Sequence, residues 1–220
     1  MSRARYTHGY PRAKKRNEDK DIRLSKSLSW LLRHGAEKEG LKLEYGGFAS
    51  VDKLLSFPQF SSITVEDVKR VVEYNDKKRF ALRYHPETGE LQIRANQGHS
   101  VKVDEEGLVV PLKAEDCPNM IVHGTYFKNW PKIKVDGLSR MKRNHIHFAV
   151  GMPGENGVIS GMRTNCEIFI LIDVVKAIDD GFKFFQSENN VILSPGDKNG
   201  YLKPKYFKEV WQFSPRILLL

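Results

Sequence analysis

The amino-acid sequence predicts an α+β protein in two parts, a helical first half closed by a hairpin and a second half built of short strands. Three observations carry this. Leu24, Leu28, Leu31 and Leu32 recur at helical spacing within residues 21–36, DIRLSKSLSWLLRHGA, and make one apolar stripe. Residues 79–84 and 90–95 alternate on either side of Pro86-Glu87-Thr88-Gly89, as the arms of a hairpin do. From Met120 onward the pattern changes to short apolar runs with few helical stretches.

Residues 1–20 show no hydrophobic period and carry most of their charge as Arg and Lys, so a disordered basic arm is expected. Its RAKKR run, residues 12–16, would serve as a solvated tail, a nuclear address or an extra RNA contact. In the helix of residues 21–36, Lys26, Ser29 and Arg33 lie opposite the apolar stripe. His34 sits on the flank, with Gly35 as a stop. An always-charged guanidinium beside a titratable imidazole, at the end of a packed helix, is a place to hold a phosphate.

A short strand is then expected at Leu41-Lys42-Leu43 and a turn at Gly46-Gly47-Phe48. Ser50 caps a short helix carrying Val51, Leu54 and Leu55. Thr64, with Asp67 three residues on, resembles a capping box that opens the helix of Val65, Val68, Val71 and Val72. Three helices followed by a two-stranded wing describe a winged-helix arrangement over residues 21–103. Alternation in the wing places Phe80, Leu82 and Tyr84 on one face and Arg79 and Arg83 on the other. Arg79 is therefore expected to face the groove that Arg33 faces.

Residues 104–119, with acidic residues, two prolines and a glycine, read as a linker. Strands are expected at 120–123, 145–150, 167–173, 190–193 and 209–213. The near-continuous apolar run EIFILID, residues 167–173, suits a central strand buried on both faces.

The balance of 36 Lys+Arg against 27 Asp+Glu, a formal charge of +9, favours a polyanionic partner. Cys117 and Cys166 are the only cysteines, which excludes a disulfide framework and a four-cysteine zinc site. No apolar run approaches the roughly 18–20 residues that span a membrane, and the basic N-terminus has no apolar core of a secretory signal. An intracellular protein, cytoplasmic or nuclear, is expected. Gly154, Gly157 and Gly161 are wrongly spaced for a dinucleotide fingerprint, and neither a P-loop, a G-x-S-x-G elbow nor H-E-x-x-H occurs.

What remains is a distributed set of polar groups. His123-Gly124-Thr125 offers an imidazole, a residue without Cβ where a ligand can approach, and a hydroxyl. His145 and His147 share one strand face, with Arg143 just before them. They lack a nearby Cys, Asp or Glu partner, so no metal is expected. Ser160-Gly161-Met162-Arg163 and Gln97-Gly98-His99-Ser100 add further hydroxyls, glycines and basic groups. Jointly they suggest a cleft for an anionic ligand.

The segments LSKSLSWLLRHGA, NDKKRFAL, IRANQGHSV, IVHGT, MKRNHIHFA, GVISGMR and NNVILSPG occur in this order, and the chain from 21 to 213 resembles the NAD-dependent RNA 2′-phosphotransferase family. Those enzymes remove the 2′-phosphate left at a tRNA splice junction. The combination of LLRH, ANQGH, HGT and ISGMR is specific. The resemblance implies a winged-helix RNA lobe joined to an ADP-ribosyltransferase-like lobe over residues 120–220, with NAD as co-substrate. It places the catalytic set on Arg33, His34, Arg79 and Arg143. NAD would be met by His123, Gly124, Thr125, His145, His147, Ser160, Gly161, Arg163 and Val191. Of these, His123, His147 and Val191 match the transferase triad, with His145 an alternative for the middle position. RNA would be met by Lys26, Arg33, Arg79, Gln97 and His99.

Protein ADP-ribosyltransferases commonly carry a glutamate where this family has an apolar residue. A 2′-phosphate is already an anionic nucleophile and needs no general base. It needs guanidinium groups that hold it in line with the ribose carbon losing nicotinamide. In the implied first step the RNA 2′-phosphate displaces nicotinamide, giving RNA-2′-phospho-ADP-ribose. In the second the ribose 2″-hydroxyl attacks that phosphate, releasing RNA with a free 2′-hydroxyl and ADP-ribose 1″,2″-cyclic phosphate. Arg33 and His34 would bind phosphate and ribose, while Arg79 and Arg143 stabilise charge in the second step. The implied partners are 2′-phosphorylated tRNA and NAD, with no membrane, and a monomer is expected. Two other readings are an ADP-ribosyltransferase acting on nucleic-acid phosphate ends or a protein, and a non-catalytic winged-helix RNA-binding protein. The intact Arg33, His34, Arg79 and Arg143 set speaks against the latter.

Overall fold

The first helix, α1 (Arg12–Trp30), begins inside the stretch expected to be a disordered arm. The computed structural model describes residues 12–152, 162–163 and 165–220, with side chains from residue 18 onward. Ion pairs account for the helix continuing ahead of residue 21. Lys20 Nζ lies 3.1 Å from Asp67, and Arg70 holds both Asp21 (2.7 Å) and Asp67 (2.6 Å), tying α1 to α4 (Val65–Glu73). After Trp30 the helix widens into one π-turn, Leu31–Gly35, before closing as α2 (Ala36–Glu39).

Residues 41–43 form no strand. Leu41 packs into the core, and the pairing goes instead to β1 (Ala49–Ser50), which joins β3 (Leu91–Ala95) at Ile93 and Gln92. Between them Gly46 and Gly47 both take positive φ (71° and 75°), the conformation that a Cβ disfavours, so this glycine pair makes the turn. Ser50 caps α3 (Val51–Leu55), its hydroxyl accepting from Lys53 N at 3.1 Å. The Thr64–Asp67 capping box is formed in both directions. β2 (Phe80–Tyr84) pairs antiparallel with β3 from Phe80↔Ala95 to Tyr84↔Leu91. Leu24, Leu28, Leu31, Leu32, Val68, Phe80 and Ile93 meet in one apolar core, the expected stripe included.

The remaining strands are β4 (Val109–Pro111), β5 (Ile121–Thr125), β6 (Leu138–Ser139), β7 (Ile146–Val150), β8 (Ile168–Ile172), β9 (Phe185–Ser187), β10 (Ile192–Ser194), β11 (Tyr201–Leu202), β12 (Phe207–Gln212) and β13 (Ile217–Leu218). Helices α5 (Trp130–Asp136) and α6 (Val174–Asp179) interrupt them. Eight strands form one sheet in the order β13-β12-β8-β5-β7-β10-β9-β4, every pairing antiparallel, and β6 pairs with β11 apart from it. The run EIFILID supplies β8, flanked by β12 and β5, with Ile168, Phe169, Ile170 and Ile172 all buried. The stretch read as a linker is more than that, because Val109 and Val110 extend the sheet edge as β4 against β9.

One feature of this sheet positions the site. β5 pairs with β7 only at Ile121↔Val150 and Val122↔Ala149. Its pairing with β8 runs on to Thr125↔Ile168, and that of β7 with β10 runs on to Ile146↔Ser194. Beyond Val122 the two strands part, and His123, Gly124 and Thr125 face His145, Ile146 and His147 across the opening.

Candidate active site

The opening between β5 and β7 is one wall of a cleft of about 900 Å3 whose other wall comes from the π-turn and the start of β2. Arg33 and His34 sit on that π-turn. Such a turn leaves a helix carbonyl without its usual partner, and here the Arg33 carbonyl is taken up by Ser100 N (2.8 Å) and Val101 N (3.3 Å). The Ser100 hydroxyl lies 2.9 Å from His34 Nδ1. Gly98 takes φ 90°, and the Arg33 side chain packs across it at ordinary contact distance.

Among the described residues, Arg33 is the side chain with two buried nitrogens left without a partner. Its Nε and Nη2 are buried without a protein partner, and burial together with Arg143 and Arg79 lowers its pKa to about 10. It remains a cation at neutral pH, so an anion is what completes it. Burial, then Arg143 and Arg33, also lower the pKa of His34. Arg79 is held from its own turn, where Asn75 Oδ1 accepts from its backbone N (3.0 Å) and Nη1 (3.1 Å). Arg143 precedes β7, with its carbonyl accepting from Arg140 Nη1 at 2.7 Å.

On the opposite wall, His123 Nδ1 donates to the His147 carbonyl at 2.9 Å, and burial keeps His123 neutral. His147 Nε2 is buried without a partner, and its pKa is driven well down by burial and then by Arg143. His145 Nε2 lies 3.3 Å from Glu105, a residue of the supposed linker. Among the described residues the cleft is lined by Arg33, Lys77, Arg79, Arg140, Lys142, Arg143 and Arg163 and by no carboxylate. Among the described residues no group of three or more His, Cys, Asp or Glu could hold a metal ion.

Of the residues singled out from the sequence, Arg33, His34, Arg79, Gln97, His123, Gly124, Thr125, Arg143, His145, His147 and Arg163 line this cleft together. His99 lies beneath it, buried, with Nε2 unpartnered and a pKa lowered to about 3 by burial and Arg33. Val191 is fully buried ahead of β10 and does not line the cleft. Lys26 lines a neighbouring groove that meets the cleft at Arg79 and also carries Glu18, Asp21 and Asp76. Ser160 and Gly161 lie outside the described residues. Sequence reasoning missed Lys77, Arg140 and Lys142 as cleft cations, although LSRMKRN and NDKKR set them beside Arg143 and Arg79.

A family model described as RNA 2′-phosphotransferase, Tpt1/KptA family, matches residues 19–196. Among similar proteins, a tRNA 2′-phosphotransferase 1 of Danio rerio is 54% identical over 205 residues, covering 93% of this chain and 91% of that protein. One of Homo sapiens is 51% identical over 201 residues, covering 91% and 79%. The tRNA 2′-phosphotransferase of Saccharomyces cerevisiae is 40% identical over 184 residues, covering 80% of each. On a match over most of its length and relatives above half identity, the chain belongs to the RNA 2′-phosphotransferase, Tpt1/KptA family.

Proposed function

We propose that the protein removes the 2′-phosphate from spliced tRNA by transferring it to NAD. The observation that carries this is the Arg33 guanidinium, with Nε and Nη2 buried and unpartnered, in a cleft that among the described residues is rich in cations and has no carboxylate in its lining. A phosphate dianion offers several acceptor oxygens to the Arg33, Arg79 and Arg143 forks, and water-poor surroundings strengthen each contact. His34, neutral in the free site, stands beside Ser100 and can donate through one ring nitrogen once an anion raises its affinity for a proton.

The parted strands fit the second substrate. His147 presents an orphaned Nε2 there, while the space beside Gly124 is taken by the Met162 and Cys166 side chains. NAD bound there supplies the ribose carbon that accepts the phosphate. His123, Thr125, His147 and Arg163 would hold it, while Arg33 and His34 keep the RNA phosphate in line and Arg79 and Arg143 face the charge that develops on it. The first core, residues 21–103, then acts as a winged-helix RNA lobe. The second, residues 120–220 with β4 added, acts as an ADP-ribosyltransferase-like lobe.

The test is incubation with 2′-phosphorylated RNA, with and without NAD and with EDTA, followed by product analysis. The expected result is NAD-dependent, EDTA-resistant release of RNA with a free 2′-hydroxyl and ADP-ribose 1″,2″-cyclic phosphate. A stable ADP-ribosylated RNA end would favour a transferase of another kind. Binding without turnover would favour a non-catalytic RNA-binding protein.

A further inference from the structure

We infer that Asn189 is a positioning residue for phosphate transfer, reaching from the second core to the turn that carries Arg79 and fixing that guanidinium over the cleft. This rests on the role proposed for Arg79. The turn before Arg79 is not a relaxed one: Lys78 has φ 41°, a conformation sparsely populated by residues with a Cβ. Three asparagine amides hold it. Asn75 caps Arg79 from within the turn. Asn96, just after β3, donates its Nδ2 to the Lys78 carbonyl at 2.9 Å. Asn189 donates its Nδ2 to the Lys77 carbonyl at 3.0 Å, across 112 residues of sequence.

Asn189 is only 2% exposed, and its other end is fixed as well. Its Oδ1 lies 2.9 Å from the Ser187 hydroxyl, which accepts from Val191 N at 3.1 Å, so the β9–β10 turn sets the direction of the amide. The neighbouring residue makes a useful contrast. Glu188 Oε2 accepts from Arg94 Nη2 at 2.9 Å and joins the same turn to β3, not to the turn of residues 75–79 that carries Arg79. Simple adhesion between the cores is thus available from Glu188. The Asn189 bond lands two residues from Arg79. Arg79 belongs to the first core and Arg143 to the second, and closing both on one phosphate needs a fixed separation. A displacement of about 1 Å can cost roughly a hundredfold in rate.

The experiment compares Asn189→Asp, which keeps the Oδ1 contact but cannot donate to the Lys77 carbonyl, with Glu188→Ala, which removes adhesion alone. Both steps are followed on 5′-labelled 2′-phosphorylated RNA with NAD. Asn189→Asp should slow the second step by about tenfold to a hundredfold and the first by less, so that ADP-ribosylated RNA accumulates. Combined with Arg79→Ala it should add no further loss, whereas with Arg143→Ala the losses should multiply. Glu188→Ala should leave the ratio of the two steps unchanged. Losses that multiply with Arg79→Ala, or an unaltered ratio of steps in Asn189→Asp, would overturn the inference. Should the Asp variant fail to fold, Asn189→Ser, too short to reach the carbonyl, carries the same comparison. A wild-type protein inert with NAD would overturn the proposed function instead. The positioning role would then be read from binding of 2′-phosphorylated RNA without NAD, where Asn189→Asp should weaken affinity only while Arg79 is present.

Discussion

At the scale of the residue, Arg33, Arg79 and Arg143 share one cleft but differ in what holds them. Arg33 is buried with open donors, which suits the anchoring role proposed for it whatever the state of the phosphate. Arg79 is already bonded to Asn75 and lies 3.6 Å from Asp76, and the pKa of Arg143 is lowered by burial and then by Arg163. In the proposed reaction the second step builds extra charge on a phosphate already bonded to two riboses, where removing one donor costs roughly 10²–10³ in rate. Arg79→Ala or Arg143→Ala should therefore slow that step more than the first and let ADP-ribosylated RNA build up, while Arg33→Ala impairs both. A time course of labelled RNA separates them, and equal losses in both steps would reverse the assignment. His99 yields a prediction of a different kind. Its folded pKa is lowered to about 3 from 6.5 by burial, then by Arg33, His34 and His145, with Glu105 opposing. Below about pH 6.5 the unfolded chain takes up a proton that the folded one refuses, so stability is lost as the pH falls from there towards 3. The slope is at most about 1.4 kcal/mol per pH unit for each such histidine. Urea unfolding between pH 7.5 and 5 should show it, and His99→Gln should flatten the curve. Parallel curves for the two proteins would assign the acid sensitivity to other groups.

At the scale of the element, the loop of residues 97–100 receives Arg33, and Gly98 is the residue in it that cannot be replaced freely. Its φ of 90° strains any side chain. Gly98→Ala should cost roughly 1–3 kcal/mol of stability and reduce activity through the shift of the 97–100 loop that relieves the strain. Thermal unfolding and phosphate release measured on one preparation would check both, and wild-type stability would contradict the account. The elements that the sequence revealed are those whose signal is local. The Thr64–Asp67 box, the Ser50 cap, the Pro86–Gly89 hairpin and the EIFILID strand are each encoded within a few neighbouring residues. Those it concealed depend on distant partners. Leu41–Leu43 alternates like a strand but has no edge to join, because β1 occupies it. Val109 and Val110 lie among acidic residues and become β4 only because β9 stands beside them. The π-turn has no signature at all, since Ser100, remote in sequence, takes its free carbonyl. The site shows the same division: the charges of LLRH and MKRNH are visible in sequence, whereas the burial that empties Arg33 of partners and seals Val191 away is not.

At the scale of the whole molecule, the formal charge of +9 is shared between the basic run of residues 1–16 and the cleft. Lys77, Arg79, Arg140, Lys142, Arg143 and Arg163 ring the cleft with no acid among its described lining residues, while the adjoining groove of Lys26 is offset by Glu18, Asp21 and Asp76. Binding of 2′-phosphorylated RNA should weaken with salt, with a log–log slope of about −2 if three phosphates are contacted. Lys142→Ala should make that slope shallower and Lys26→Ala should alter it less; a titration from low to physiological salt reads both, and salt-independent binding would remove the electrostatic role. The division of the arginines between cores has a mechanical meaning as well. Arg33 and Arg79 belong to the first core and Arg143 is rooted in the second, so a phosphate gripped by all three becomes a rivet through the joint. Coupling of this sort is reciprocal: whatever stiffens the joint must tighten the grip, and the grip must stiffen the joint by the same free energy. The molecule would then be at its loosest between turnovers and most rigid while RNA is held, with the substrate itself acting as the fastener.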